Sequence, residues 1–344
     1  MRQHLFDISK PFQLENGASL PLLQLTYHCD GALNQERNNV IWLFHALTGN
    51  SNPFDWWRQL LQQSAWFDPS QFFIICVNMP GSCYGSTGPL SINPNTQSPY
   101  YHDFPILTNR DVVKAFQLLK QHLGIQKIQL GIGGSLGGQQ LIEWAIIEPN
   151  LFETIIPLAT NAKHSPWGIA FNASQRWAID NDSTWSLSER HAGIEGLKLA
   201  RSIALLSYRT ASMYNSSQMD VYDHLSDAQT FNHKAIAYQY YQGDKLASRF
   251  NAFSYYRLTQ MMDLHDVGRG RTGVSNALKS IKAKTIVVSI SSDLLFPVAD
   301  QIIIANHVPF AEHIIIDSNY GHDGFLVETD AIGELLAQLY PVTV

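Results

Sequence analysis

The sequence predicts an α/β fold with a mostly parallel central sheet, covered by helices on both faces and carrying a helical insertion. Three observations lead there. Short runs of β-branched and aromatic residues alternate with helix-period segments, which calls for parallel strands joined by right-handed crossovers. One run ends in a serine set among glycines where a helix begins, in "LGIGGSLGGQQLIEW" (130–144). The alternation then stops over residues 163–282, a polar and aromatic interval of helix-like segments without a convincing buried strand.

In chain order, "LPLLQLTY" (20–27) and "NVIWLFHALTG" (39–49) read as strands, the second running into a loop from His45 to Gly49. "QFFIICVNMPG" (71–81) reads as a fully buried strand closed by proline and glycine. In "NRDVVKAFQLLKQHLG" (109–124), Val112, Val113, Phe116, Leu119 and Leu123 fall at helical spacing, and Gly124 is the stop. "IQKIQLGIGG" (125–134) is the next strand, followed by "FETIIPLAT" (152–160). Past the interval come "AKTIVVSISSD" (283–293) and "AEHIIIDSNYGH" (311–322), and the last helix is "AIGELLAQLY" (331–340). The expected organisation is a core domain of residues 1–162 and 283–344, with 163–282 as a helical lid insertion.

Composition narrows the function classes. The chain has 344 residues, 45% of them hydrophobic, enough for a large core. A net charge of −6 without lysine or arginine clusters excludes nucleic acid and anionic membranes as expected partners. No stretch approaches the ~20 apolar residues of a spanning helix, and the start "MRQHLFDISKPF" has no signal-peptide pattern, so a cytoplasmic location is expected. Cys29, Cys76 and Cys83 lack the paired spacing of a zinc site or disulfide framework and are expected to be reduced. No metal and no bound cofactor is expected. Cys83 in "PGSCYGSTGP" has no histidine at a spacing that would activate it.

Five glycines around one hydroxyl need a reason, because glycine within a strand or helix costs roughly 0.5–1 kcal/mol relative to alanine. Gly133-Gly134-Ser135-Leu136-Gly137 is a GxSxG pattern at a strand-to-helix turn, where the serine occupies strained backbone and neighbours without side chains give clearance. Ser135 is therefore the expected nucleophile. The helix starting here aims its N-terminal amides at a developing oxyanion, which makes the Leu136 amide one donor. The Leu47 amide, in "HALTG" after an earlier strand, is the second.

A serine hydroxyl needs a base, itself oriented by a carboxylate. In this architecture the order is serine, acid, histidine, with the last two on loops after later strands. Asp293 follows one strong strand and His322 the next, so the expected acid and base are Asp293 and His322. Asp300 falls in the following helix, Asp317 is too close to its strand, and His307 and His313 precede the final loop.

Along nearly its whole length the chain resembles the homoserine O-acetyltransferases, a family of the α/β hydrolase fold. The matching stretches are "HALTGN", "CYGSTGPLSINP", "DFPILTNRD", "GIGGSLGGQQLIEWAI", "AFNASQRWAI", "YQGDKLASRFNAFSYYRLT", "SSDLLFP" and "YGHDGFLVE". The resemblance implies the same triad, acetyl-CoA as co-substrate, L-homoserine as acceptor, a ping-pong mechanism in methionine biosynthesis, and a homodimer. It also implies that Arg201, in "KLARSIALLSYRT", holds the homoserine carboxylate, that Asp323 holds the ammonium, and that Tyr208 contributes to the same pocket. Two departures stand out: Asn50 where relatives carry aspartate, and Leu136 where they carry methionine. Succinyl transfer, a serine acceptor, a plain serine esterase or thioesterase, and a non-catalytic receptor on the same scaffold are the alternatives.

Overall fold

The computed structural model describes residues 1–220 and 233–339. The expected lid residues 221–232, Tyr340 of the last expected helix and the rest of the C-terminus lie outside the described residues.

Strands β1 (Arg2–Ile8), β2 (Phe12–Gln13), β3 (Ser19–Leu20), β4 (Leu23–Asp30), β5 (Val40–Phe44) and β6 (Phe73–Val77) open the chain. The short pair β7 (Ile92–Asn93) and β8 (Ser98–Pro99) follows, then β9 (Ile128–Gly134), β10 (Phe152–Leu158), β11 (Lys284–Ile290) and β12 (Ala311–Ile316). Eight of these form the main sheet in the order β1-β4-β6-β5-β9-β10-β11-β12. β1 and β4 run antiparallel to their neighbours, and every other pairing is parallel.

Strand β5 shows why the central runs are continuously apolar. All five residues are buried, and they alternate between two cores: Val40, Trp42 and Phe44 face one layer, Ile41 and Leu43 the other. Helices α1 (Arg58–Gln63), α2 (Asn109–Leu123) and α3 (Leu136–Ile147) belong to the first half of the fold. α2 starts in a capping box between Thr108 and Asp111 and stops at Gly124 in left-handed backbone (φ 72°). α10 (Val298–His307), which holds Asp300, α11 (Gly324–Val327) and α12 (Thr329–Leu339) complete the second half.

Between β10 and β11 run α4 (Pro166–Asp180), α5 (Ile194–Tyr208), α6 (Ala211–Ser217), α7 (Lys234–Ala247), α8 (Ala252–Asp263) and α9 (Val274–Leu278). Helix α5 packs on α4 and α7, and its C-terminal end meets the turn at 321–323.

The structure corrects two expectations. The strand expected at 20–27 breaks at Pro21 and runs from Leu23 to Asp30. Strand β1 was not expected at all: most of its residues are exposed, because it is an edge strand paired only with β4.

Candidate active site

Sheet register brings the carboxyl ends of the central strands level. Phe44 is opposite Gly133, Gly134 opposite Leu158, and Leu158 opposite Val288. Their loops therefore emerge at one edge, where open α/β sheets bind ligands.

Ser135 terminates β9 with φ 56° and ψ −125°, a conformation that L residues with a side chain seldom adopt. Its amide donates to Leu158 O (3.0 Å), and Thr160 Oγ1 donates to the Ser135 carbonyl (2.7 Å). These bonds hold the strained turn from below. Glycine is required beside it: a Cβ on Gly137 would lie 2.3 Å from the Phe44 carbonyl oxygen, and one on Gly134 would lie 2.3 Å from the Phe325 ring.

His322 lies in the turn after β12 and is buried. Its Nε2 is 3.0 Å from Ser135 Oγ, and its Nδ1 is 2.7 Å from Asp293 Oδ2. A carboxylate at Nδ1 fixes the proton there and leaves Nε2 free to accept the serine proton. Asp293 is itself fixed, since its Oδ1 accepts from the Leu295 (2.8 Å) and Phe296 (2.9 Å) amides. The imidazole stacks on Phe296, with ring centres 5.0 Å apart, and meets the Phe325 ring edge-on at 5.2 Å. The arrangement can deprotonate a serine and return the proton to a leaving group.

A cavity of about 280 Å³ opens over Ser135 and His322, lined by Leu47, Trp56, Arg201, Tyr208 and Asp323 among others. Leu47 thus reaches the site. As the first residue of α3, Leu136 has no acceptor one turn back for its amide, and its side chain is fully buried in the hydrophobic core. The loop carrying Leu47 is braced on two sides. His45 Nε2 accepts from the Met79 amide (3.1 Å) and Nδ1 donates to Ala46 O (2.9 Å), while burial pulls its pKa down to about 4 and keeps it neutral. Arg249 donates to Thr48 O (2.7 Å) and to the Tyr84 hydroxyl.

Arg201 has no carboxylate partner among the described residues; its guanidinium lies over the Tyr208 ring, 5.4 Å from the centre. The Tyr208 ring is 5.6 Å from His322, and burial raises its hydroxyl pKa, so it stays protonated. Asp323 has an unexpected partner: Arg209 Nε donates to its Oδ2 at 3.1 Å. Arg209 and Arg249 also line the cavity, and sequence reasoning named neither. Arg209 follows Tyr208 directly, so a second guanidinium at the end of α5 was a usable signal; Arg249 lay within a matching stretch but carried no spacing cue.

The Asn50 side chain turns away from the cavity and donates to Asp55 Oδ2 (2.9 Å). Its carbonyl accepts from the cavity-lining Trp56 Nε1 (3.0 Å), so this position touches the pocket through Trp56. The three cysteines are free. Burial pushes the Cys83 thiol up to about 12 and the Cys76 thiol still higher, leaving both protonated.

Sheet order, strained serine turn and buried imidazole together define an α/β hydrolase, and the family model for the alpha/beta hydrolase fold matches residues 39–329. Within that class the chain belongs to the homoserine O-acetyltransferase family. It is 46% identical to the homoserine O-acetyltransferase of Cyclobacterium marinum, over 99% of this chain and 95% of that protein. The Chlorobaculum parvum homoserine O-acetyltransferase is 40% identical over 95% of this chain and 92% of its own length. Among solved structures, the Bacillus anthracis homoserine O-acetyltransferase superposes with a TM-score of 0.87 at 22% identity, covering 98% of this chain and 96% of that one. Esterase E22 does so at 0.86 and 22%, covering 98% and 99%. Fold is therefore shared across transferases and hydrolases. No described helix is long and apolar enough to cross a membrane, and no described group of three or more His, Cys, Asp or Glu could hold a metal ion.

Proposed function

We propose that the protein transfers an acetyl group from acetyl-CoA to the hydroxyl of L-homoserine by a ping-pong route through acetyl-Ser135. His322 takes the Ser135 proton as the hydroxyl attacks the thioester, and Asp293 keeps the imidazole aligned and stabilises its charge. The Leu47 and Leu136 amides hold the oxyanion, each such donor being worth about 2.7–4 kcal/mol in the transition state. His322 then protonates the departing CoA thiolate.

In the second half, Arg201 takes the homoserine carboxylate, Asp323 takes its ammonium, and Tyr208 walls the pocket between them. A zwitterion needs one fixed cation and one fixed anion, and each charge-assisted bond contributes about 1.5–3 kcal/mol. Arg209 holds one oxygen of Asp323 and leaves the other for substrate. His322 removes the homoserine hydroxyl proton, the second tetrahedral intermediate collapses, and Ser135 recovers its proton. These steps call for neither a metal nor a resident cofactor.

The observation that carries this reading is the pair of bonds on His322, to Ser135 and Asp293, beneath a cavity with an uncommitted arginine and a carboxylate. The names of the relatives supply the substrates. Purified protein offered acetyl-, succinyl- or propionyl-CoA with homoserine or serine tests it: fastest turnover with acetyl-CoA and homoserine supports the reading. Thiol release that ignores the acceptor identifies a thioesterase instead.

Membership of a biosynthetic family also supports a cytoplasmic homodimer. Exposed Trp177, Leu206 and Tyr240 on α4, α5 and α7 offer apolar surface for the second copy. Light scattering that finds only monomer at micromolar concentration rejects the dimer.

A further inference from the structure

A second cavity, of about 320 Å³, lies beside the first, between the loop after β6 and the segments flanking α5 and α7. Ser82, Cys83, Arg190, His191, Arg249 and Ser254 line it, and no aspartate or glutamate does. Arg190 has no ion-pair partner among the described residues, so its charge is uncompensated. Although burial dominates at Cys83, both Arg249 and Arg190 favour its thiolate, which marks the positive potential at this wall.

Two hydroxyls here lack partners. Ser82 and Ser254 are each 1% exposed, and neither Oγ makes a hydrogen bond among the described residues. Buried hydroxyls are rarely left so, and these two lie just behind the cavity wall. Arg249 is the wall common to both cavities: through Thr48 it braces the loop of Leu47, and through Tyr84 it borders Cys83.

An acyl-CoA has two unlike ends, a neutral thioester arm and a nucleotide bearing phosphates. The cavity over Ser135 suits the first, and an arginine-lined cavity without carboxylates suits the second. We propose that this second cavity binds the phosphate-bearing end of the acyl donor, with Arg190, His191 and Arg249 contacting phosphate oxygens. The thioester arm then passes Arg249 to reach Ser135. The identity of the donor, though not the anion site, rests on the acyl-transfer reading above.

Two measurements on the full-length protein test it. Steady-state kinetics would compare acetyl-CoA with S-acetylpantetheine, which lacks phosphate, in wild type and in Arg190→Gln. The variant should reduce the preference in kcat/KM for acetyl-CoA by about tenfold, the loss of one charge-assisted contact. Calorimetry would follow CoA and, separately, ADP binding to the same two proteins, with weaker binding of both to Arg190→Gln expected. An unaltered preference together with unaltered CoA affinity overturns the proposal. Wild type that binds ADP through Arg190 yet neither binds CoA nor uses acetyl-CoA keeps the anion site and rejects the donor reading. A thermal midpoint of Arg190→Gln matching wild type excludes misfolding.

Discussion

His322 Nε2 stands 3.0 Å from Ser135 Oγ although 187 residues separate the two in the chain. Nothing local joins them. They meet because β9 and β12 belong to the parallel part of one sheet and end at the same edge, and Asp293 after β11 bridges the gap to the imidazole. The order serine, acid, histidine is thus the order in which the chain lays down these strands.

Asp293→Asn should leave the fold intact and lower kcat by about 10⁴-fold, because an amide at this position favours the wrong imidazole tautomer. The Leu295 and Phe296 amides can still bond the side-chain oxygen, so the thermal midpoint should move little. Kinetics alongside calorimetry separates the two effects; a variant with near wild-type kcat would remove Asp293 from the mechanism.

Arg201→Gln should raise KM for homoserine by roughly 10- to 100-fold, the loss of one charge-assisted contact of about 1.5–3 kcal/mol. The effect should fall on the second half-reaction, with the burst of CoA release far less altered. An equal loss in both half-reactions would mean that Arg201 supports the fold and not the acceptor.

Gly137→Ala sets two effects against each other. Alanine is favoured over glycine within a helix by about 1 kcal/mol, yet its Cβ would sit 2.3 Å from the Phe44 carbonyl oxygen. Backbone cannot yield cheaply there, so a net destabilisation of about 1–3 kcal/mol is expected, with loss of activity as the serine turn shifts. Denaturant unfolding measures the sign, and a stabilised variant would contradict the packing account.

Burial pulls His45 down to about 4 and both His164 and His265 to about 3, from an ordinary value of 6.5. The unfolded chain therefore binds more protons than the native one between these limits. Their stabilising contribution is complete above pH 6.5 and is lost as pH falls toward 3–4, with a slope of up to about 1.4 kcal/mol per pH unit for each histidine. His265 donates from Nε2 to Asn161 O (3.0 Å) and accepts from Asn109 at Nδ1 (3.1 Å), so both nitrogens are committed with the ring neutral. Stability measured from pH 7 to 4.5 should fall less steeply in His265→Gln than in wild type; parallel slopes would show that this group does not set the dependence.

How much of this was legible in the sequence depended on distance along the chain. Strand β5 announced itself because both its faces are buried and five apolar residues stand in a row. Ser135 was legible because its glycines are adjacent to it and each marks a close approach. Strand β1 was not, since an edge strand exposed on most of its length carries no apolar pattern and exists through its pairing with β4. The ion pair of Arg209 with Asp323 was hidden for the same reason: its partners lie 114 residues apart, and only the packing of α5 on the turn at 321–323 joins them.

Rapid-quench mass spectrometry of the protein mixed with acetyl-CoA, first without and then with homoserine, tests the central claim most directly. One acetyl group should appear on the peptide containing Ser135, be absent from Ser135→Ala, and leave as O-acetylhomoserine much faster than it is lost to water. An enzyme that releases CoA without ever carrying acetyl on Ser135, or whose acetyl-enzyme decays at a rate indifferent to homoserine, would contradict it.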